Sequence, residues 1–200
     1  MASWPPDARI RHLELVALAR CHRLCLPATA SSRAGLSVLE ALYAGLFQDP
    51  AARVIWEPGP EDTPEQGAFA AATVRYRETE LHTRRCLPKA AFVRLAFSAA
   101  LMPRHLLARR RWEQLIPEQG IGYVLTLGVA SAVLPSARTR RGSELLAEIE
   151  AWFVSQGCSA SFVDTELSNA RAHAFYLRTG YRELSRDHGQ VLLRKTLPAG

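Results

Sequence analysis

Apolar residues recur at two spacings along this chain, and each spacing predicts a kind of element. Over residues 14–26, Leu15, Leu18, Ala19 and Leu26 share a helical period, and Pro27 closes the predicted helix. A short strand is predicted before it, over residues 8–13. Ser31 or Ser32 can cap a second helix reaching about Phe47, with Leu36, Leu39, Leu42, Tyr43 and Leu46 on one face. Residues 52–56 and 68–79 predict two strands of a hairpin across the Pro/Gly-rich turn 58–64. The later half of the second strand alternates Val74 and Tyr76 with Arg75 and Arg77. Further on, the pattern predicts a strand at 123–129, a helix at 143–156 and a strand at 161–166. A helix at 170–178 and two closing strands at 181–184 and 190–196 complete the series. No internal repeat is evident.

Residues 84–114 stand apart. Arg84, Arg85, Lys89, Arg94, Arg104, Arg109, Arg110 and Arg111 face a single acid, Glu113, and the centre at 90–102 is nearly all apolar. One or two helices interrupted near Pro103 are expected. Three roles stay open for this segment: a lid or packing element, recognition of an anionic acceptor, and contact with an anionic membrane surface. It lacks the aromatic spacing of a base-stacking platform, and Phe92 and Phe97 fit packing equally well.

Composition narrows the classes. The 200 residues fit one domain; 48% are hydrophobic and 22% charged, the balance of a soluble globular protein. No apolar run reaches the roughly 18–20 residues of a membrane span, and residues 1–7 carry no secretory pattern. Cys21, Cys25, Cys86 and Cys158 have no zinc-like spacing, so no metal site is expected. Cys21 and Cys25 read as reduced core thiols rather than a redox pair, which points to a reducing cytoplasm. The net charge of +6 suits an anionic partner without naming it.

Two stretches carry candidate chemistry. The first is Asn169-Ala-Arg-Ala172-His-Ala-Phe-Tyr176-Leu-Arg-Thr-Gly180-Tyr181. Asn169 can cap the helix and offer an amide to a ligand. Ala172 leaves room for a close approach, and Tyr176 lies one turn on along the same face. Gly180 can end the helix in a left-handed conformation. A plain capped core helix with Tyr176 as packing explains this stretch as well. The second is Leu134-Pro-Ser-Ala-Arg138-Thr-Arg140-Arg141-Gly142-Ser143, read as a basic turn opening the helix of Leu145, Leu146, Ile149 and Trp152. Free N–H groups at a helix start can cradle phosphate, and Arg138, Arg140 and Arg141 add positive charge; a solvated basic turn is the alternative.

At these two stretches the chain resembles the GNAT acetyltransferases, whose phosphate loop reads P-x-x-R-G-x-G-x-G-S-x-L-L and whose later motif is the Asn169-to-Tyr181 pattern. The resemblance covers about residues 121–197. The loop here is one residue shorter and lacks the first glycine, and residues 130–134 add apolar positions before it. The resemblance implies an α/β (α+β) GNAT fold: a mixed, mostly antiparallel sheet with helices on both faces and two splayed parallel strands. It implies a single domain over 1–200, made of residues 8–82, a basic helical insertion at 83–115 and an acetyl-CoA-binding core at 121–197.

It also implies acetyl-CoA as cofactor, gripped by Leu127, Gly128, Val129, Arg138, Arg140, Arg141, Gly142, Ser143, Asn169 and Ala172. The acetyl group would pass directly to a primary amine in a ternary complex. A backbone N–H near Leu127, Gly128 and Val129 would stabilise the oxyanion, and Tyr176 would protonate the departing sulfur. The context of Tyr123 is similar to that of alpha-amino acetyltransferases that use a tyrosine there, so Tyr123 and Asp164 are candidates for taking the ammonium proton, with Glu166 behind them; a packed tyrosine and a surface aspartate remain the other reading. His173 is expected to face solvent. A catalytically silent acetyl-CoA-binding module and a basic membrane- or nucleic-acid-surface protein are the rival functions. Partners are expected to be acetyl-CoA and an amine, in a monomer or homodimer, with nucleic acid and membrane not favoured.

Overall fold

The computed structural model describes residues 8–60, 63–101, 107–108, 111–112 and 114–198, with side chains from residue 12 onward. Helix α1 spans Ala8–Cys25. The strand expected at 8–13 is therefore the opening of this helix. Leu15, Leu18, Ala19, Cys21 and His22 turn inward along it, while Leu13 is left outside, 68% exposed. The short alternation at 8–13 mimicked a strand, but a helix satisfies its own backbone without a partner edge.

Two helices follow where one was expected, α2 (Ala30–Ala34) and α3 (Leu36–Gln48). Gly35 separates them with φ of 109°, a conformation open to glycine and costly for other residues. The cap is Thr29, whose side chain accepts from the Ser32 N–H. Strand β1 (Ala52–Glu57) and strand β2 (Ala68–Thr73) form the expected hairpin. β2 stops earlier than predicted, and Val74, Tyr76, Arg75 and Arg77 are not strand. The Thr73 hydroxyl accepts from the Arg75 N–H at 3.0 Å and shares a 2.7 Å bond with the Thr79 hydroxyl. This turns the chain into helix α4 (Tyr76–Cys86), which buries Tyr76, Thr79 and Thr83 at helical spacing.

Helix α5 (Lys89–Ala100) begins after Pro88, so the helical part of the basic segment starts well before residue 83 and breaks at Pro88. Its Ala91 and Leu95 pack on Ala34, Val38 and Leu42. Phe92, Val93, Phe97 and Leu101 are exposed, so Phe92 and Phe97, which fitted packing as well as stacking, are not packed into the core. Pro103, Arg104, Arg109, Arg110 and Glu113 lie outside the described residues.

Strand β3 (Ile121–Val129), helix α6 (Pro135–Ser155), strand β4 (Ala160–Glu166), helix α7 (Ala170–Arg178), strand β5 (Arg182–Asp187) and strand β6 (Gln190–Thr196) complete the chain. The sheet order is β1-β2-β3-β4-β6-β5, antiparallel except for β3 and β4. Leu145, Leu146, Ile149 and Phe153 of α6 and Tyr176 of α7 pack with Val124, Val163, Val191 and Leu193 on one face. On the other face, Leu18, Cys21, Tyr43 and Leu46 meet Phe69 and Ala71. Gly122 lets α6 approach: a Cβ there would fall 2.2 Å from the Phe153 ring. With helices on both faces and two parallel strands, the fold is the mixed α/β architecture anticipated from the sequence. Among the described residues, no helix is long and apolar enough to cross a membrane.

Candidate active site

β3 and β4 are paired only from Ile121↔Ala160 to Val124↔Val163. Beyond that point β3 continues to Val129 and β4 to Glu166 with no ladder between them. A bulge explains the parting. The register of β3 against β2 steps from Ala72↔Val124 to Ala71↔Thr126, leaving Leu125 as an extra residue. Such an insertion bends the strand and increases its twist. Meanwhile β6 holds β4 in an antiparallel ladder as far as Glu166↔Gln190. The two free edges present backbone N–H and C=O groups to the gap, where an extended ligand carrying amides can satisfy them.

The gap opens into two cavities with a common wall. Cys25, Leu26, Leu127, Asn169, Ala172 and Tyr176 line both. The larger, about 330 Å³, also holds Arg138, Arg171 and Arg178, with Gly128, Val129 and Gly142. The smaller, about 260 Å³, is lined by the carboxylates of Asp164 and Glu166 and, among the described residues, by no basic side chain. The Oγ1 of Thr126, also in its wall, is buried without a hydrogen-bond partner among the described residues. One chamber thus suits anions and its neighbour cations.

Tyr176 is 6% exposed, and its ring meets those of Phe175 and Tyr181 at 5.3 and 5.5 Å. Burial, and then the Asp164 carboxylate, push its phenol well above the usual tyrosine range. It is therefore a proton donor at neutral pH. Asn169 caps α7, its side-chain oxygen accepting from the Ala172 N–H at 3.1 Å. Tyr123, 2% exposed, donates its hydroxyl to Asp164 Oδ1 at 2.6 Å. The Tyr76 ring stacks on it with centroids 4.2 Å apart. Tyr123 is thus both a packed ring, buried with Trp112, Phe162 and Leu192, and the hydrogen-bond partner of Asp164. Glu166 accepts from the Ser168 hydroxyl at 2.9 Å. His173 does not simply face solvent: its Nε2 lies 2.7 Å from Glu183 Oε1, with 18% of the side chain exposed.

Of the residues expected to grip a cofactor, Leu127, Gly128, Val129, Arg138, Gly142, Asn169 and Ala172 surround the larger cavity. Arg140, Arg141 and Ser143 do not. Arg140 lies 3.7 Å from Glu144, Arg141 Nε bonds Glu57 at 2.6 Å, and the Ser143 hydroxyl donates to the Thr139 carbonyl at 3.0 Å. The expected turn is itself helical, because α6 begins at Pro135, a residue suited to the first helical position. The N–H groups of Arg140, Arg141, Gly142 and Ser143 consequently belong to the interior of the helix and are not free to cradle phosphate. Arg138 donates to the Ser131 and Val133 carbonyls at 2.8 and 2.9 Å, tying down the loop before α6. The sequence reading missed Arg171, Arg178 and the end of α1. Arg171, Phe175 and Arg178 lie at helical spacing on α7, a signal that was available. Nothing in the sequence places Leu24, Cys25 and Leu26 against β3.

This architecture is the GNAT fold. It is shared with aminoglycoside 6'-acetyltransferase type Ii (TM-score 0.59, 13% identity, 100% of this chain and 98% of that one). It is also shared with a putative acetyltransferase of the GNAT family from Desulfovibrio desulfuricans (0.58, 14%, 92% and 93%). An acetyltransferase of the GNAT family from Staphylococcus aureus Mu50 is similar too (0.57, 10%, 96% and 96%). Residues 107–181 match the model of the acetyltransferase (GNAT) family, a likeness that supports acetyl transfer as the general chemistry. No curated protein sequence matches the chain.

Proposed function

We propose that this chain transfers an acetyl group from acetyl-CoA to a primary amine, by direct attack while both are bound. The observation that carries this reading is the parted β3–β4 edge set between an arginine-lined cavity and a carboxylate-lined one. The residues present fit the donor. Arg138, Arg171 and Arg178 supply charge for its phosphates, and the open strand edges suit the amides of its pantetheine arm. When bound, acetyl-CoA supplies the activated thioester carbonyl.

The chain's own groups then divide the work. Alternate N–H groups among Leu127, Gly128 and Val129 face the gap and polarise that carbonyl. The protonated Tyr176 hydroxyl, in the wall common to both cavities, holds a proton for the departing sulfur. An amine arrives as an ammonium and attacks only as the free base. Asp164 in the smaller cavity attracts the cation, and the Asp164–Tyr123 pair takes its proton, directly or through water. Glu166 is a second carboxylate at the same mouth. We read residues 1–200 as one domain working in the reducing cytoplasm, as a monomer or homodimer. Acetyl-CoA and an amine are its partners.

The test is a screen of amine classes, namely peptide N-termini, lysines, amino sugars and polyamines, with release of free CoA as readout. Transfer to at least one class is expected. Measurable CoA binding with no transfer to any class would instead support a silent binding module.

A further inference from the structure

We propose that Cys25 is an acyl-accepting modification site, its thiol taking the acetyl group from acetyl-CoA when no amine occupies the acceptor cavity. This rests on the reading of the two cavities as donor and acceptor chambers. Three features bear on this residue: the lining of both chambers, its packing on Gly128, and the neighbouring Cys21 sulfur. Cys25 is one of the six residues in the wall common to both chambers, and it is only partly buried. As the last residue of α1 it packs on Gly128, where a side-chain carbon would come within 2.9 Å of the Cys25 Cβ. Gly128 belongs to the β3 edge whose N–H groups would polarise the thioester. Finally, the Cys21 sulfur lies 3.9 Å from that of Cys25, fully buried beneath it.

Cys21 and Cys25 therefore differ in kind. Cys21 is sealed in the core with Leu18, Tyr43 and Phe69, its thiol held protonated. Its hydrogen bond lowers the pKa of Cys25, burial works the other way, Arg138 lowers it again, and the net direction is down. The C-terminal end of α1 disfavours an anion, while the Cys21 thiol at 3.9 Å and the Arg138 charge favour it. A thiolate is the nucleophilic form of cysteine, and it attacks thioesters as readily as amines do. In the exchange, the Cys25 sulfur bonds to the acetyl carbon and the bond from that carbon to the CoA sulfur breaks. The proton of the Cys25 thiol ends on the CoA sulfur, so the products are S-acetyl-Cys25 and free CoA. The added acetyl group would stand in the wall between the chambers and obstruct the slot until an amine or thiol removes it.

The experiment incubates the full chain with acetyl-CoA in the absence of amine, followed by intact mass and peptide mapping. Calorimetric CoA binding and iodoacetamide labelling of Cys25 run beside it. One acetyl group on Cys25 is expected, released by neutral hydroxylamine. It should be absent in Cys25→Ala, retained at Cys25 but formed more slowly in Cys21→Ala, and CoA should protect Cys25 from alkylation. If acetyl-CoA binds and Cys25 stays unmodified, the proposal is overturned while the acetyltransferase reading stands. If acetyl-CoA does not bind at all, the reading of the cavities falls and takes the proposal with it. Thermal melts of both variants separate misfolding from loss of the thiol.

Discussion

His22 makes the stability of this protein depend on pH in a direction and size that the structure fixes. Its ring is 6% exposed, stacked on Phe69 with centroids 5.3 Å apart, and Nδ1 shares a 2.7 Å hydrogen bond with the Tyr43 hydroxyl. Nε2 is buried with no hydrogen-bond partner among the described residues. A second proton would charge a ring buried away from bulk water, so burial holds its pKa down to about 4, against 6.5 for a free histidine. The unfolded chain therefore takes up a proton at a pH where the folded chain does not. The contribution is fully present above pH about 6.5 and is lost as pH falls toward about 4. Linkage gives a loss of roughly 1.4 kcal/mol by pH 5.5 and about 3 kcal/mol by pH 4. This is a large share of the ~5–15 kcal/mol typical of a domain. Urea unfolding between pH 7.5 and 4.5 would measure it, with His22→Phe as the reference. The variant keeps a ring on Phe69 but strands the Tyr43 hydroxyl, so its baseline should fall by about 1–3 kcal/mol while the histidine slope disappears. Equal pH slopes in the two proteins would refute the argument.

Tyr176→Phe keeps the ring against Phe175 and Tyr181. With a working acceptor, turnover should fall roughly 10²–10⁴-fold with thermal stability little changed. A stability loss at normal turnover would make the tyrosine structural. Arg171→Ala and Arg178→Ala should each weaken CoA binding by about 1.5–3 kcal/mol, on the order of ten- to a hundredfold, and flatten its salt dependence. Calorimetry showing unchanged affinity in both would move the phosphates elsewhere. Gly122→Ala would push a methyl into the Phe153 ring and should cost about 1–3 kcal/mol or more by denaturant unfolding. A neutral result would mean that α6 can shift away from the sheet.

The sequence by itself determined most of the second half of the chain. Apart from α6, which starts at Pro135 rather than at 143, the elements over residues 121–197 lie within a few positions of their predicted bounds, because long apolar runs and capped amphipathic helices carry their own period. Asn169, Ala172 and Tyr176 share a wall because one helix face places them there. The first hundred residues were harder. The short alternations at 8–13 and 74–79 fit two periods at once, and burial against neighbours distant in sequence decided for helix. At residues 134–142 the family register suggested a phosphate turn, yet Pro135 starts a helix that nothing interrupts, and Arg141 turns aside to Glu57. Only tertiary structure could create the slot, since it arises from a bulge opposite β2 and the separate restraint of β4 by β6. The same holds for the contacts of Cys25 with Gly128 and of Tyr123 with Asp164. They join residues far apart along the chain, and a linear pattern carries period and composition but no distances across the sheet.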